Sequence, residues 1–223
     1  MQVDVRPFDG HSISPEASRF LSQKHQLWIG GRWVDGTDGL VLAARDPATG
    51  LVLAQVAIGG TVEIDAAVAA ARSAFDGPWR RLTHPERASY LSRLARLIER
   101  DAALLSELET LNNGMNAFIA RLTIDNCVEM FDYYAGAAWR IEGTTTTPPR
   151  HVAATAEALT YTLREPVGVV GHVVPWNVPI STAVLKLAPA LAAGCTAVIK
   201  PSEETPLSIL RLAALIEEAG FPP

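Results

Sequence analysis

Residues 165–206, EPVGVVGHVVPWNVPISTAVLKLAPALAAGCTAVIKPSEETP, contain two β-rich apolar runs with a helix-length segment between them. VGVVGHVV, from Val167, and TAVIK, from Thr196 to Lys200, are apolar on both faces, as strands of a sheet covered on both sides must be. An insert of that length is too long for a hairpin, so it predicts a right-handed crossover and parallel strands. Thr205 with Pro206 then opens a further helix that runs to Ala219, with Gly220 past its end. Polar residues gather where the two strands end, which is where an open α/β sheet takes its ligand. The chain stops at Pro223, where a third strand is due. The expected fold is therefore α/β, with an incomplete doubly wound parallel sheet, an N-terminal helical region and β-strand arms.

Four regions are expected upstream and including this unit. Residues 1–25 read as a polar, partly disordered lead-in, and residues 26–142 as hairpins followed by helices. LWIGGRWVDG alternates around Gly30-Gly31, and LVLAARDPATGLVLAQVA turns near Asp46-Pro47, each giving a short strand pair. Thr61 is the expected N-cap of a helix whose Ile64, Val68, Ala71 and Phe75 form its buried stripe. Thr83 to Glu86 matches a capping box, and Asp101 is placed to cap the next helix, which ends near Gly114. A further helix spans about 117–141, with Phe131, Tyr134 and Trp139 as bulky core residues. Residues 143–164 read as two extended arms that need a neighbour to cover them. Residues 165–223 read as the first βαβα of an open parallel sheet, truncated.

The formal net charge of -5 argues against nucleic acid or an anionic membrane surface as partner. The N-terminus has no basic region followed by an apolar core, so no signal peptide is expected. Pro175, Asn177, Pro179, Lys186 and Pro189 interrupt the long apolar stretch too often for a membrane span. Cys127 and Cys195 have no metal-ligand or disulfide spacing, which favours a reducing, cytoplasmic setting, and no metal site is expected.

Several residues could carry chemistry. Asn177, between the first strand and its helix, is either an N-cap or a donor to a developing oxyanion. Both hold together only if the carbonyl oxygen caps while the NH2 faces substrate. Trp176 either packs in the core or lines a cleft. Lys200, Ser202 and Glu203 lie where the second strand ends; either the Lys and Glu bind ribose hydroxyls or the three belong to a solvated loop. Cys127 and Cys195 read as small buried residues without an activating partner, and His172 as a core or sheet-face residue and not a base. GVVGHV lacks the spacing of a phosphate-binding glycine turn.

EPVGVV, PWN-x-P at 175–179, LAPALAAGC, IKPSEETP and EAGFPP, in order and spacing, resemble the NAD(P)-dependent aldehyde dehydrogenases. WIGGRW, DPATG, LETLNNG and YYAG extend the resemblance over about residues 26–223. It implies a cofactor domain, a catalytic domain and an oligomerising arm domain, here roughly 143–164. By position, Asn177 matches the family's oxyanion-stabilising Asn. Lys200 and Glu203 match the residues that hold the adenosine ribose, with Ser202 beside them. Val173, Val174, Pro175 and Trp176 match the segment flanking the nicotinamide half. The implied cofactor is NAD, because the Glu203 carboxylate repels the 2′-phosphate of NADP, while Ser202 and Lys200 leave NADP open.

The implied reaction is attack of a Cys thiolate on an aldehyde, hydride transfer to nicotinamide and hydrolysis of the thioester by a Glu-activated water. The family's nucleophile, general base and glycine-containing cofactor turn lie downstream of the EAGFPP block and are not in this sequence. The expectation is an N-terminal half that has no aldehyde-oxidising activity by itself, belongs to a homo-oligomer (dimer or tetramer) when complete, and aggregates when alone. The alternative is a non-catalytic binding or assembly fragment that associates with a full-length homologue.

Overall fold

The computed structural model describes residues 13–148, 150–153 and 158–223. Residues 1–12 of the expected lead-in lie outside the described residues, and the first element lies within the rest of that stretch: Pro15–Leu21 is a helix, α1. Ser14 caps it through Oγ, which accepts from the Ala17 N–H at 3.1 Å, while the Ser14 N–H donates to Glu107 at 2.8 Å. Ala17, Phe20 and Leu21 form a buried i, i+3, i+4 stripe, and Phe20 and Leu21 join a cluster with Leu53, Val56 and Leu108. The polar residues around them hide this stripe in the sequence.

β1 (Leu27–Ile29) and β2 (Arg32–Val34) pair antiparallel, as do β3 (Val41–Arg45) and β4 (Val52–Ala57), matching both expected hairpins. The first turns through Gly30 and Gly31, with φ of 56° and 71°, the left-handed pair that a two-residue hairpin demands. Gly36 is fixed differently: an added Cβ would lie 2.1 Å from the Ile58 carbonyl oxygen.

α2 (Thr61–Ala74) has Gly60 at its N-cap, with Thr61 inside the helix and not capping it. Glu63 performs the capping, accepting from the Gly60 N–H at 2.7 Å and from the Thr37 N–H at 2.7 Å. The Thr37 bonds, then the one from Gly60, hold the Glu63 carboxyl down at about 2. Of the expected buried stripe, Phe75 is in the core, but Ile64 and Val68 are 45% and 43% exposed.

α3 (His84–Arg100) begins with the predicted capping box: the Thr83 N–H donates to Glu86 at 2.7 Å and the Glu86 N–H returns to Thr83 Oγ1 at 3.4 Å. Asp101 does not cap α4 (Ala102–Asn113), because its carboxylate is engaged by Arg100 and Arg211. α4 ends at Gly114, whose φ of 78° is left-handed. In α5 (Ala117–Ala137) Phe131 is fully buried, whereas Trp139, just past the helix, is 61% exposed and not a core residue.

The arms form a narrow exposed ribbon: β5 (Thr145–Thr146) pairs antiparallel with β6 (Thr160–Tyr161), and a helical turn, α6 (Arg150–Ala153), lies between. Leu159 and Leu163 beside it stand in solvent.

β7 (Val169–Val173), α7 (Pro179–Ala192), β8 (Thr196–Lys200) and α8 (Leu207–Glu218) form the predicted parallel unit, with Val169 opposite Thr196 and Val173 opposite Lys200. α7 continues past Pro189 to Ala192. α8 starts at Leu207, a residue later than the sequence suggests, and Thr205 does not cap it. The main core joins α3, α5, α7 and α8 through Leu91, Leu94, Phe131, Ile180, Leu187 and Leu212. Each such side chain contributes about 1.5–3 kcal/mol when fully buried. β8 pairs only with β7 among the described residues. Beside it a largely apolar groove of about 700 Å³ runs between α2, the β1–β2 turn and α8, and Ile64 faces it. No helix among the described residues is long and apolar enough to cross a membrane.

Candidate functional site

Two loops leave the carboxyl ends of β7 and β8 side by side. The Val173–Lys200 register, continued by a bond from the Val174 N–H to the Lys200 carbonyl at 3.0 Å, brings them together. The first loop carries Pro175, Trp176 and Asn177, all exposed. Val173 is exposed at the strand end, and its carbonyl accepts from Lys186 of α7 at 2.6 Å. Val174 points inward, 2% exposed, so only its backbone can face a ligand.

Asn177 is not a cap. α7 has Val178 at its N-cap position and no side-chain capping bond, and the Asn177 amide has no hydrogen bond among the described residues. A short polar side chain left free at the mouth of a strand–helix turn can donate to a developing negative charge. Trp176 is 60% exposed and lines a cleft instead of filling the core.

On the second loop, the Lys200 ammonium meets the Glu203 carboxylate at 2.8 Å, both well exposed at the edge of the large groove. The hydrogen bond from Lys200 holds the Glu203 carboxyl below its usual range, so it stays an ionised acceptor. A vicinal diol is suited to this pair, one hydroxyl donating to the carboxylate and the other accepting from the ammonium. Ser202 turns inward, 7% exposed, and its hydroxyl accepts from the Glu204 N–H at 3.3 Å, so it shapes the turn.

Cys127 and Cys195 are buried and unpaired. Burial, then the nearby Glu109, pushes the Cys127 thiol far above its normal range, which leaves it inert. His172 is buried, and desolvation followed by the Lys186 charge lowers its pKa. Among the described residues no cluster of His, Cys, Asp or Glu could hold a metal ion.

Sequence spacing gives no pointer to the other participants, which lie on α4. Asn112 and Asn113 reach the two loops from the helix's last turn. Glu109, 1% exposed, lies under the start of α7 beside Ser208. The sole hint is that LETLNNG places acidic and amide residues on a helix that is otherwise core-forming.

The fold is a partial α/β unit with two loops paired at the carboxyl ends of its parallel strands. The profile of the Aldehyde dehydrogenase family matches residues 33–223, and the chain belongs to that family. It is 42% identical over 88% of its length to an aldehyde dehydrogenase of Emericella nidulans, covering 38% of that protein. Aldehyde dehydrogenase 1A1 of Mus musculus is 41% identical over 90% of this chain and 40% of its own length. Among solved structures, an aldehyde dehydrogenase from Bacillus cereus in complex with NAD+ superposes with a TM-score of 0.89 at 43% identity, over 95% of this chain and 42% of that one. The chain thus spans about two fifths of the relatives it matches.

Proposed function

We propose that this chain is the N-terminal portion of an NAD(P)-dependent aldehyde dehydrogenase and supplies one wall of its active site. The observation that carries the proposal is the meeting of two loops at the carboxyl ends of parallel strands, one presenting an unpartnered Asn177 amide and the other an exposed Lys200–Glu203 pair. The B. cereus relative binds NAD+, which supports the same cofactor here. When bound, that cofactor would supply the hydride acceptor for aldehyde oxidation.

The chain's own residues orient and stabilise. Lys200 and Glu203 hold the adenosine ribose, and the carboxylate of Glu203 favours NAD over NADP. The exposed face of Val173, Pro175 and Trp176 flanks the nicotinamide half, with Val174 contributing through its backbone. Asn177 donates to the oxyanion formed when a nucleophile, carried outside these residues, attacks the aldehyde carbonyl. Ser202 acts through the shape of its turn. The buried, unpaired cysteines suit a reducing cytoplasmic compartment.

Calorimetric titration of the chain with NAD tests the reading, and a panel of aldehydes assayed with NAD tests the expected lack of turnover. Saturable binding lost in Lys200→Ala and Glu203→Ala is the expected result. Absence of binding, or binding indifferent to both substitutions, overturns it. The ribbon of β5 and β6, with Leu159 and Leu163 bare beside it, favours a second role as an assembly surface in a homo-oligomer. Sedimentation with and without a full-length homologue distinguishes a fragment that acts only by association.

A further inference from the structure

The β-ladder between β7 and β8 fixes where the two loops start, but not their course beyond Val174 and Lys200. That course is set from outside the sheet. Asn112 is 5% exposed, at the end of α4, and its Nδ2 donates to the Glu204 carbonyl at 3.0 Å and the Arg45 carbonyl at 3.2 Å. Its Oδ1 accepts from the Leu207 N–H at 3.3 Å, the first residue of α8, and so performs the capping that Thr205 does not. The orientation of this amide is unique, since a flip would set NH2 against N–H and oxygen against two carbonyls. The next residue, Asn113, donates through Nδ2 to the Trp176 carbonyl at 2.5 Å and reaches the Asn177 carbonyl at 3.4 Å. Thr205 closes the network, its hydroxyl meeting the same Trp176 carbonyl at 3.4 Å.

We infer that Asn112 and Asn113 are positioning residues, a two-amide clamp in which one helix end sets the β8–α8 loop through Asn112 and the β7–α7 loop through Asn113. The division of labour follows from helix geometry. Consecutive residues point about 100° apart, so one turn of α4 can grip two loops that neighbour each other but belong to different strands. Gly114 stops the helix directly after the pair, so their side chains face the loops at its end. The clamp holds carbonyls and leaves side chains free: the Asn177 backbone is gripped while its amide faces outward. Asn112 ties in β3 as well, through the Arg45 carbonyl, so the β8–α8 loop is referenced to the hairpin layer.

This inference rests on the cofactor reading above, and its test separates the two. NAD and AMP are titrated calorimetrically into the wild-type chain, Asn113→Ala and Asn112→Ala, with amide hydrogen exchange followed in each. AMP reports only the Lys200–Glu203 loop, whereas NAD reports both loops. Asn113→Ala is expected to leave AMP affinity within about twofold while weakening NAD about tenfold, a change of about 1.4 kcal/mol. Asn112→Ala is expected to weaken both ligands together. Exchange should accelerate at 176–178 in Asn113→Ala and at 203–208 in Asn112→Ala. Equal weakening of AMP and NAD by Asn113→Ala, or acceleration spread evenly over the chain, overturns the clamp. Should Asn112→Ala fail to fold, the Asn113→Ala split decides alone. Should the wild type bind neither nucleotide, the cofactor reading fails, and the exchange pattern still confirms or overturns the clamp.

Discussion

Glu109 offers the sharpest quantitative test of this packing. It is 1% exposed, and burial, only partly offset by Ser208 and the Ile180 N–H, pushes its carboxyl up to about 7 from an ordinary 4.5. Neither carboxylate oxygen finds a partner in good hydrogen-bonding geometry. A folded-state pKa above the unfolded one means that the folded chain holds the proton more tightly. The stabilisation from the neutral acid is therefore complete below about pH 4.5, shrinks as pH rises, and is gone above about 7. At about 1.4 kcal/mol per unit, ionisation costs the fold roughly 3 kcal/mol between those limits. Glu109→Gln, a neutral isostere, should escape that loss. Its stability relative to wild type should rise by roughly 3 kcal/mol between pH 4.5 and pH 8.5, about 6–12 °C in melting midpoint for a chain of this size. Urea unfolding of both proteins across that range gives the difference directly, with all other titrating groups cancelling. A difference that stays constant with pH would refute the reasoning, whatever its absolute value.

Other substitutions report on single contacts. Phe131→Ala, emptying a fully buried ring site, should cost about 3–5 kcal/mol by urea unfolding. Asn177→Ala should change stability by less than about 0.5 kcal/mol, because its amide has no partner and caps nothing, while a true cap would cost about 1. Gly36→Ala should destabilise by about 1–3 kcal/mol, since its Cβ would collide with the Ile58 carbonyl, and a thermal melt will show it. Glu203→Ala should weaken NAD binding in calorimetry without a measurable change in the melting midpoint, both members of its ion pair being exposed.

The parallel unit was legible because β7 and β8 are apolar on both faces and punctuated by Gly, Pro and polar residues at their ends. The hairpins were legible because Gly30-Gly31 leaves the first little choice of turn and Asp46-Pro47 marks the turn of the second. What sequence could not deliver depended on contacts between distant segments. Asn177 looks like a cap until α7 is seen to start without one. Thr205 looks like a cap until Asn112, far earlier in the chain, accepts the Leu207 N–H instead. Asp101 likewise serves two arginines in place of its helix. Ile64 and Val68 follow the period of a buried stripe, yet both are exposed, Ile64 on the wall of a groove. Local pattern specifies elements well. It does not say which partner a polar side chain will choose when several are within reach.

The ribbon between Glu142 and Glu165 has one more consequence. It joins two bodies of chain that meet in a common core, with Leu91, Leu94 and Phe131 from one side and Ile180, Leu187 and Leu212 from the other. Its own two-residue ladder is too short to hold anything in place. Covalent continuity there should therefore be dispensable. A single protease cut beside Leu163 should yield two pieces that co-elute and melt as one, and the two pieces expressed separately should find each other. The site would then be a reconstitutable pair, with α4 in one piece clamping loops that belong to the other.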